Sequence, residues 1–310
     1  MLGSLPFIGV SYKSFKHDEI YRKRFSNMEN SVEILSAAVE YGIDVLGIMP
    51  DIENSLFNNL LNAIKKVETR YGIEIGLGIC IPVPLEINGK PINAFRRWLT
   101  YYYNEKNLVN EHELLRRYLN DPVLQWRKGW KENFTKAFKH MKPYVKEDFE
   151  KLSINLRSVE RILKIFDGYK VVFIEPGSEI DFLVISERFD LLDALLSFLR
   201  SMYENLVILG SHHSGITIPV LEKSKLSFNG FMTPINMLGV MMFPSKELSL
   251  KAIKETRRPI IAIKVLAGGR LKPIEAIRFA LKYVKFLMVG VALTKELNIL
   301  VRALFDALSK

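Results

Sequence analysis

Short apolar runs alternate with helical stripes along this chain, and that alternation is what most restricts its fold. The runs are residues 6–11 (PFIGVS), 44–49 (DVLGIM), 74–83 (EIGLGICIPV), 170–175 (KVVFIE), 206–211 (LVILGS), 230–235 (GFMTPI), 259–266 (PIIAIKVL) and 286–291 (FLMVGV). Between them, apolar residues recur at helical spacing, as at Val32, Leu35, Ala38 and Val39, or at Leu56, Leu60, Ile64 and Val67. Gly42 and Gly72 close those two stripes, as residues just past a helix end do. The other stripes lie at about residues 155–166, 182–202, 216–225, 246–256, 273–283 and 294–308. Buried parallel strands need crossover helices, and eight strand–helix units close most naturally into a (β/α)8 barrel. The rival is a doubly wound open sheet. Its nucleotide-binding version opens on a glycine-rich loop, whereas Tyr12-Lys13-Ser14-Phe15 stands here.

The expected organisation is therefore one barrel domain over residues 1–310, carrying an insertion at 84–150 after the third strand. Loops after barrel strands lie on the catalytic face, which places the insertion there. Helical patterns at 93–103, 111–119 and 124–139 give it structure of its own. It holds all three tryptophans, Trp98, Trp126 and Trp130, and the run Tyr101-Tyr102-Tyr103. Between Lys90 and Glu150 there are 13 Lys+Arg against 8 Asp+Glu, half of the chain's net charge of +10. Three readings stay open: a lid favouring anions, a homo-oligomer interface, and a satellite subdomain with its own aromatic core.

Composition narrows the class. With 48% hydrophobic and 25% charged residues, the chain is not a disordered one. No apolar stretch reaches membrane-spanning length, and no membrane partner is expected. The basic residues are scattered, which argues against nucleic acid and leaves a small anionic substrate as the expected partner. A single cysteine, Cys80, excludes a disulfide framework within the chain and suits a reducing cytoplasm. One glutamine among many Lys, Glu and Ile gives a thermophile-like composition.

Barrel chemistry sits at strand C-terminal ends. Glu175 ends an apolar strand, where desolvation would raise its pKa and suit acid/base work. Lys264 lies in an apolar run, in reach of an electrostatic or covalent role, with an ion pair to Glu175 as the plainer alternative. His212 and His213 follow Ser211, and adjacent side chains on a strand point opposite ways, so one imidazole faces the axis. Glu175, Lys264 and His212 are the catalytic candidates. Ser211, His213, Asn236, Gly268, Gly269 and Arg270 are candidates for binding substrate or its anionic group, since two glycines admit a ligand to backbone N–H groups and arginine pairs with phosphate. No HxH or HExxH spacing occurs, so no metal site is expected.

Residues 205–300 resemble the aldo-keto reductase barrels. The resemblance rests on Gly210-Ser211-His212-His213, Thr233-Pro234-Ile235-Asn236, Lys264-Val265-Leu266-Ala267-Gly268-Gly269 and Val289-Gly290-Val291-Ala292-Leu293-Thr294-Lys295-Glu296. It implies the barrel and an inherited anion pocket, but not hydride transfer; the cofactor stays open, with NADP the candidate. The family's Asp, Tyr, Lys and His tetrad is not matched. Asp51 has no Tyr a few residues on, residues 78–82 hold no Lys, and Glu175 stands where the His would be. From the residues themselves, the expected function is acid/base chemistry of lyase, aldolase or isomerase type on a small anionic, perhaps phosphorylated, substrate. The resemblance offers two alternatives: an NAD(P)H-binding reductase relative, or a non-catalytic barrel scaffold.

Overall fold

The computed structural model describes residues 1–309. Its strands are β1 (Leu2–Gly3), β2 (Val45–Ile48), β3 (Gly76–Ile81), β4 (Leu85–Ile87), β5 (Lys90–Pro91), β6 (Leu152–Ile154), β7 (Val171–Pro176), β8 (Leu206–Gly210), β9 (Gly230–Pro234), β10 (Ile260–Ile263) and β11 (Phe286–Leu287). Eight of them form one parallel sheet in the order β1-β2-β3-β7-β8-β9-β10-β11. The first and last strands meet through a parallel bridge between Leu2 and Val289, where Gly3 N donates to Val289 O at 3.1 Å. The curled sheet, ringed by helices, is the expected (β/α)8 architecture.

Side chains fill the ring. Phe173, Ile208, Met232, Ile261 and Met288 form an interior cluster, with Cys80 and Ile263 packed against it. The glycines of β2 and β3 belong to this packing: a Cβ on Gly78 would stand 2.0 Å from the Phe173 ring. The outer core lies between sheet and helices and is built on residues such as Leu60, Ile64 and Val67 of the Ser55–Tyr71 helix, all of them inaccessible. Asn54 caps that helix by accepting from Leu56 N, and Gly72 ends it in the left-handed region.

The structure departs from the sequence reading at four places. The first strand is Leu2–Gly3; residues 6–11 form instead a 3-10 turn and loop, because Pro6 starts the turn and Gly9 ends it at φ 83°. A helix at Phe15–Phe25, capped by Ser14, precedes the first expected one. The stripe at 182–202 is two helices, Glu179–Ile185 and Phe189–Met202, parted at Glu187, whose φ is 56°. The strand expected at 259–266 stops at Ile263, so Lys264 stands just past it and half-buried rather than inside the barrel wall.

The segment after β3 contains helices Ala94–Glu105, Glu111–Asn120 and Trp130–His140, with a short turn of helix at Pro122–Gln125. It also contains an antiparallel sheet, β5-β4-β6, whose β4–β5 turn is Asn88-Gly89, both at positive φ.

Candidate active site

Three side chains chosen from sequence stand at the C-terminal ends of barrel strands, where the Lys264 charge acts on both Glu175 and His212. Glu175 lies near the end of β7, Lys264 just past β10, and His212 just past β8. Ring order puts β7 and β8 side by side, and β10 two strands further round. The space for Glu175 exists because residue 210 has no side chain: a Cβ there would lie 1.7 Å from Glu175 Oε1 and 2.9 Å from Pro176 O. We expect Gly210→Ala to destabilise the fold by about 1–3 kcal/mol through overpacking, read as a lower denaturant midpoint. An unchanged midpoint would contradict this packing.

Cys80 is the cross-strand neighbour of Glu175 in the β3–β7 ladder. Its thiol donates to Gly78 O at 3.9 Å. Burial pushes the Glu175 pKa up to about 8; the neighbouring Cys80 and Lys264 oppose this, while Glu179 and Asp181 add to it. Burial, reinforced by Glu175, also pushes the Cys80 thiol well above its ordinary value. His212 is held neutral: burial, then Lys264, His213, Arg127 and Arg97, keep its pKa well below the usual value. Its Nε2 is buried without a hydrogen-bond partner. The Lys264 amine lies over the Tyr12 ring, 4.9 Å from its centroid, and among the described residues it forms no ion pair with Glu175. Trp126 meets Tyr12 edge-on at 5.1 Å and donates to Asp18 at 2.7 Å. Together these residues make a mouth with a proton-bearing carboxyl, a neutral imidazole, an amine and an aromatic wall.

The turn that carries the histidines is organised by Asp181, which is fully buried. Its carboxylate accepts from Ser211 Oγ (2.6 Å), Thr217 Oγ1 (2.6 Å), His212 N (2.8 Å) and His213 N (3.2 Å). It stands at the start of the Ser214–Glu222 helix, where backbone N–H groups favour an anion.

Of the other binding candidates, Ser211, His213 and Asn236 are buried, whereas Gly269 and Arg270 are exposed. His213 is buried among Tyr101, Trp98 and Phe243, and its Nδ1 lies 2.5 Å from Glu105 Oε1. The Ser211 hydroxyl donates to Asp181. The Asn236 side chain closes a loop on Val240, donating to its carbonyl at 3.0 Å and accepting from its N–H at 2.9 Å. Gly268 and Gly269 turn the chain in the left-handed region. Arg270 Nη1 donates to the carbonyls of Tyr12, Ala267 and Gly268, tying the loop after β10 to the loop after β1.

The segment after β3 is tied to these loops by polar contacts. Arg97 pairs with Glu179 at 2.6 Å, Arg117 donates to the carbonyls of Gly239 and Met242, and Asp121 accepts from Met241 N at 2.7 Å. Trp98 and Trp130 are buried in its own aromatic cluster, while Trp126 belongs to the mouth. Among the described residues no three His, Cys, Asp or Glu side chains converge as metal ligands, and no helix is long and apolar enough to cross a membrane. Four residues of the site escaped the sequence reading: Cys80, Asp181, Glu105 and Tyr12. Only Cys80 left a signal, as a polarisable residue at the same end of its strand as Glu175.

An α/β barrel with a buried carboxyl at its mouth is thus the class that fold and site define, and its likeness to solved structures is to aldo-keto reductase barrels. A protein from Pseudomonas aeruginosa described as belonging to the aldo-keto reductases superposes with a TM-score of 0.54 at 14% identity, over 99% of this chain and 89% of that one. A second structure with the same description and source gives 0.52 at 14% identity, over 99% and 90%. At that identity the likeness is one of fold. No family model and no curated protein matches the sequence.

Proposed function

We propose that this barrel is an enzyme that moves a proton on a small anionic substrate, with Glu175 as the acid/base group. The observation that carries the reading is the Glu175 carboxyl, enclosed at the end of β7 with a pKa of about 8. A carboxyl so placed is protonated near neutrality and can both give and take a proton there. Lys264 would act on the substrate electrostatically or covalently, and the imidazole of His212, held neutral by burial and nearby cations, would hydrogen-bond it. Lyase, aldolase and isomerase reactions use such a set. The test is hydrogen–deuterium exchange from solvent into the α-carbon of small keto acids and sugar phosphates. Exchange with wild type that is lost in Glu175→Gln supports the reading. Exchange unaffected by Glu175→Gln refutes it.

The fold likeness favours a second reading, a nicotinamide-binding protein. Barrels often hold phosphate in the loops after their seventh and eighth strands and at the N-terminus of a nearby helix. Here those are the loops after β10 and β11. Ala292 N and Leu293 N donate to Glu296 Oε2 at 2.7 and 3.2 Å, so the last helix's own carboxylate occupies the place of an anion. Arg270 Nη1, Ser211 and Asn236 are engaged as described above. These residues do not fit a dinucleotide. We expect no saturable enhancement of NADPH fluorescence on titration with the protein; saturation at micromolar concentration would restore the second reading.

A further inference from the structure

Lys264 stands on a backbone that disfavours it. Its φ is 51°, a left-handed conformation that glycine adopts freely and a lysine does not. Tyr12, at φ 56°, and Ala267, at φ 50°, share that conformation in the loops after β1 and β10. The conformation is pinned: Ala267 N donates to Lys264 O at 2.8 Å, and Arg270 Nη1 bridges Tyr12 O, Ala267 O and Gly268 O. A strained residue fixed by its surroundings at the mouth of a barrel marks a functional position. Its amine has no ion-pair partner among the described residues and lies against the Tyr12 ring. Within the same mouth stand an acid, Glu175, and a neutral imidazole, His212, whose buried Nε2 has no partner.

We propose that Lys264 is a nucleophile that forms an imine with small aldehydes or ketones bearing an anionic group. The proposal rests on the acid/base reading of Glu175 and names the substrate class. Lys264 reacts as the free amine, its ammonium proton having passed to solvent. The amine adds to the carbonyl carbon, forming the C–N bond, while the π electrons pass to oxygen, which takes the Glu175 proton. Glu175, now a carboxylate, removes a proton from the adduct nitrogen. Glu175 then gives that proton to the hydroxyl, which the neutral His212 imidazole holds by a hydrogen bond; water leaves, and the nitrogen lone pair closes the C=N bond. The products are a protonated imine, one water and the Glu175 carboxylate. Arg97 and Arg127, whose charges act on His212, add positive potential for the substrate's anionic group.

The test is reductive trapping. The full chain is incubated with pyruvate and, separately, with glycolaldehyde, each with sodium cyanoborohydride, and its peptides are mapped by mass. One dominant pyruvate adduct on Lys264 is expected, absent from Lys264→Arg, which keeps the charge without the nucleophile. Lys264→Gly should also lose the adduct while melting no lower than wild type, because glycine suits the left-handed backbone. No adduct, or adducts spread over surface lysines and unchanged in Lys264→Arg, overturns the proposal. An adduct that forms at the wild-type rate in Glu175→Gln keeps the imine and removes the role given to Glu175. A Glu175 that titrates near pH 8 in a protein that traps nothing removes the imine alone.

Discussion

Replacing Glu175 by glutamine should make the protein more stable than wild type above pH 8 and leave it about equally stable near pH 4. Raising a carboxyl from its ordinary 4.5 to about 8 means that the native state holds a proton which the unfolded state has released across that window. Stability therefore falls as pH rises from about 4.5 to about 8, by a total on the order of 4–5 kcal/mol from this group. Glutamine keeps the size and neutrality of the protonated acid and releases no proton, so the variant escapes the loss. Asp181 and His213, both raised, act in the same direction, and His212, lowered, acts against it. These groups are common to both proteins, so the difference between the two stability–pH curves isolates Glu175. Parallel curves in urea unfolding between pH 4 and 9 would show that Glu175 titrates as an ordinary carboxylate.

Truncating Glu105 to alanine should destabilise the fold by about 3–5 kcal/mol, the penalty for removing one partner of a buried pair. Glu105 is 1% exposed and His213 is 1% exposed. One Glu105 oxygen pairs with His213 Nδ1 and the other accepts from Tyr118 Oη at 2.6 Å. Burial works against a charged His213, but Glu105, through charge and hydrogen bond, and Asp181 outweigh it and raise the pKa. The pair's contribution is accordingly complete below pH 6.5 and fades as pH rises through the higher native value. Glu105→Ala should lose that fading along with the stability. The double variant Glu105→Leu with His213→Phe should recover much of the loss, since an apolar replacement leaves no charge buried alone. A loss below about 1 kcal/mol in Glu105→Ala would contradict a charged pair joining the Ala94–Glu105 helix to the turn after β8.

The barrel was legible because most of its strands, as at Gly76–Ile81 and Gly230–Pro234, are buried on both sides and read as continuous apolar runs followed by a helical stripe. Residues 6–11 misled because a run of Phe, Ile and Val resembles a strand, while Pro6 and Gly9 direct it into a turn. The real first strand has two residues and no periodicity to read. The small sheet in the insertion was overlooked although Asn88-Gly89 is a hairpin dipeptide, because its strands of two and three residues show no alternation.

The site was legible where a charged residue interrupts an apolar run, which singled out Glu175 and Lys264. Its partners were not, because they arise from register and crossover. Cys80 meets Glu175 only through the β3–β7 ladder, two strands separated in sequence by the whole insertion. Asp181 and Glu105 lie on helices, where a buried carboxylate looks like any polar position until the turn it holds is placed against it. The two histidines do diverge as adjacent residues should, but His213 turns to the aromatic cluster and its pairing with Glu105 rather than to a ligand-facing position.

The account turns on one protonated carboxyl at the mouth. Carbon-13 NMR of protein labelled at glutamate side-chain carboxyls, titrated from pH 3 to 10, measures it directly. One resonance titrating near pH 8, absent from Glu175→Gln, is the expected result. If every glutamate carboxyl titrates below pH 6, Glu175 is an ordinary carboxylate and cannot serve as the acid in the chemistry assigned to it.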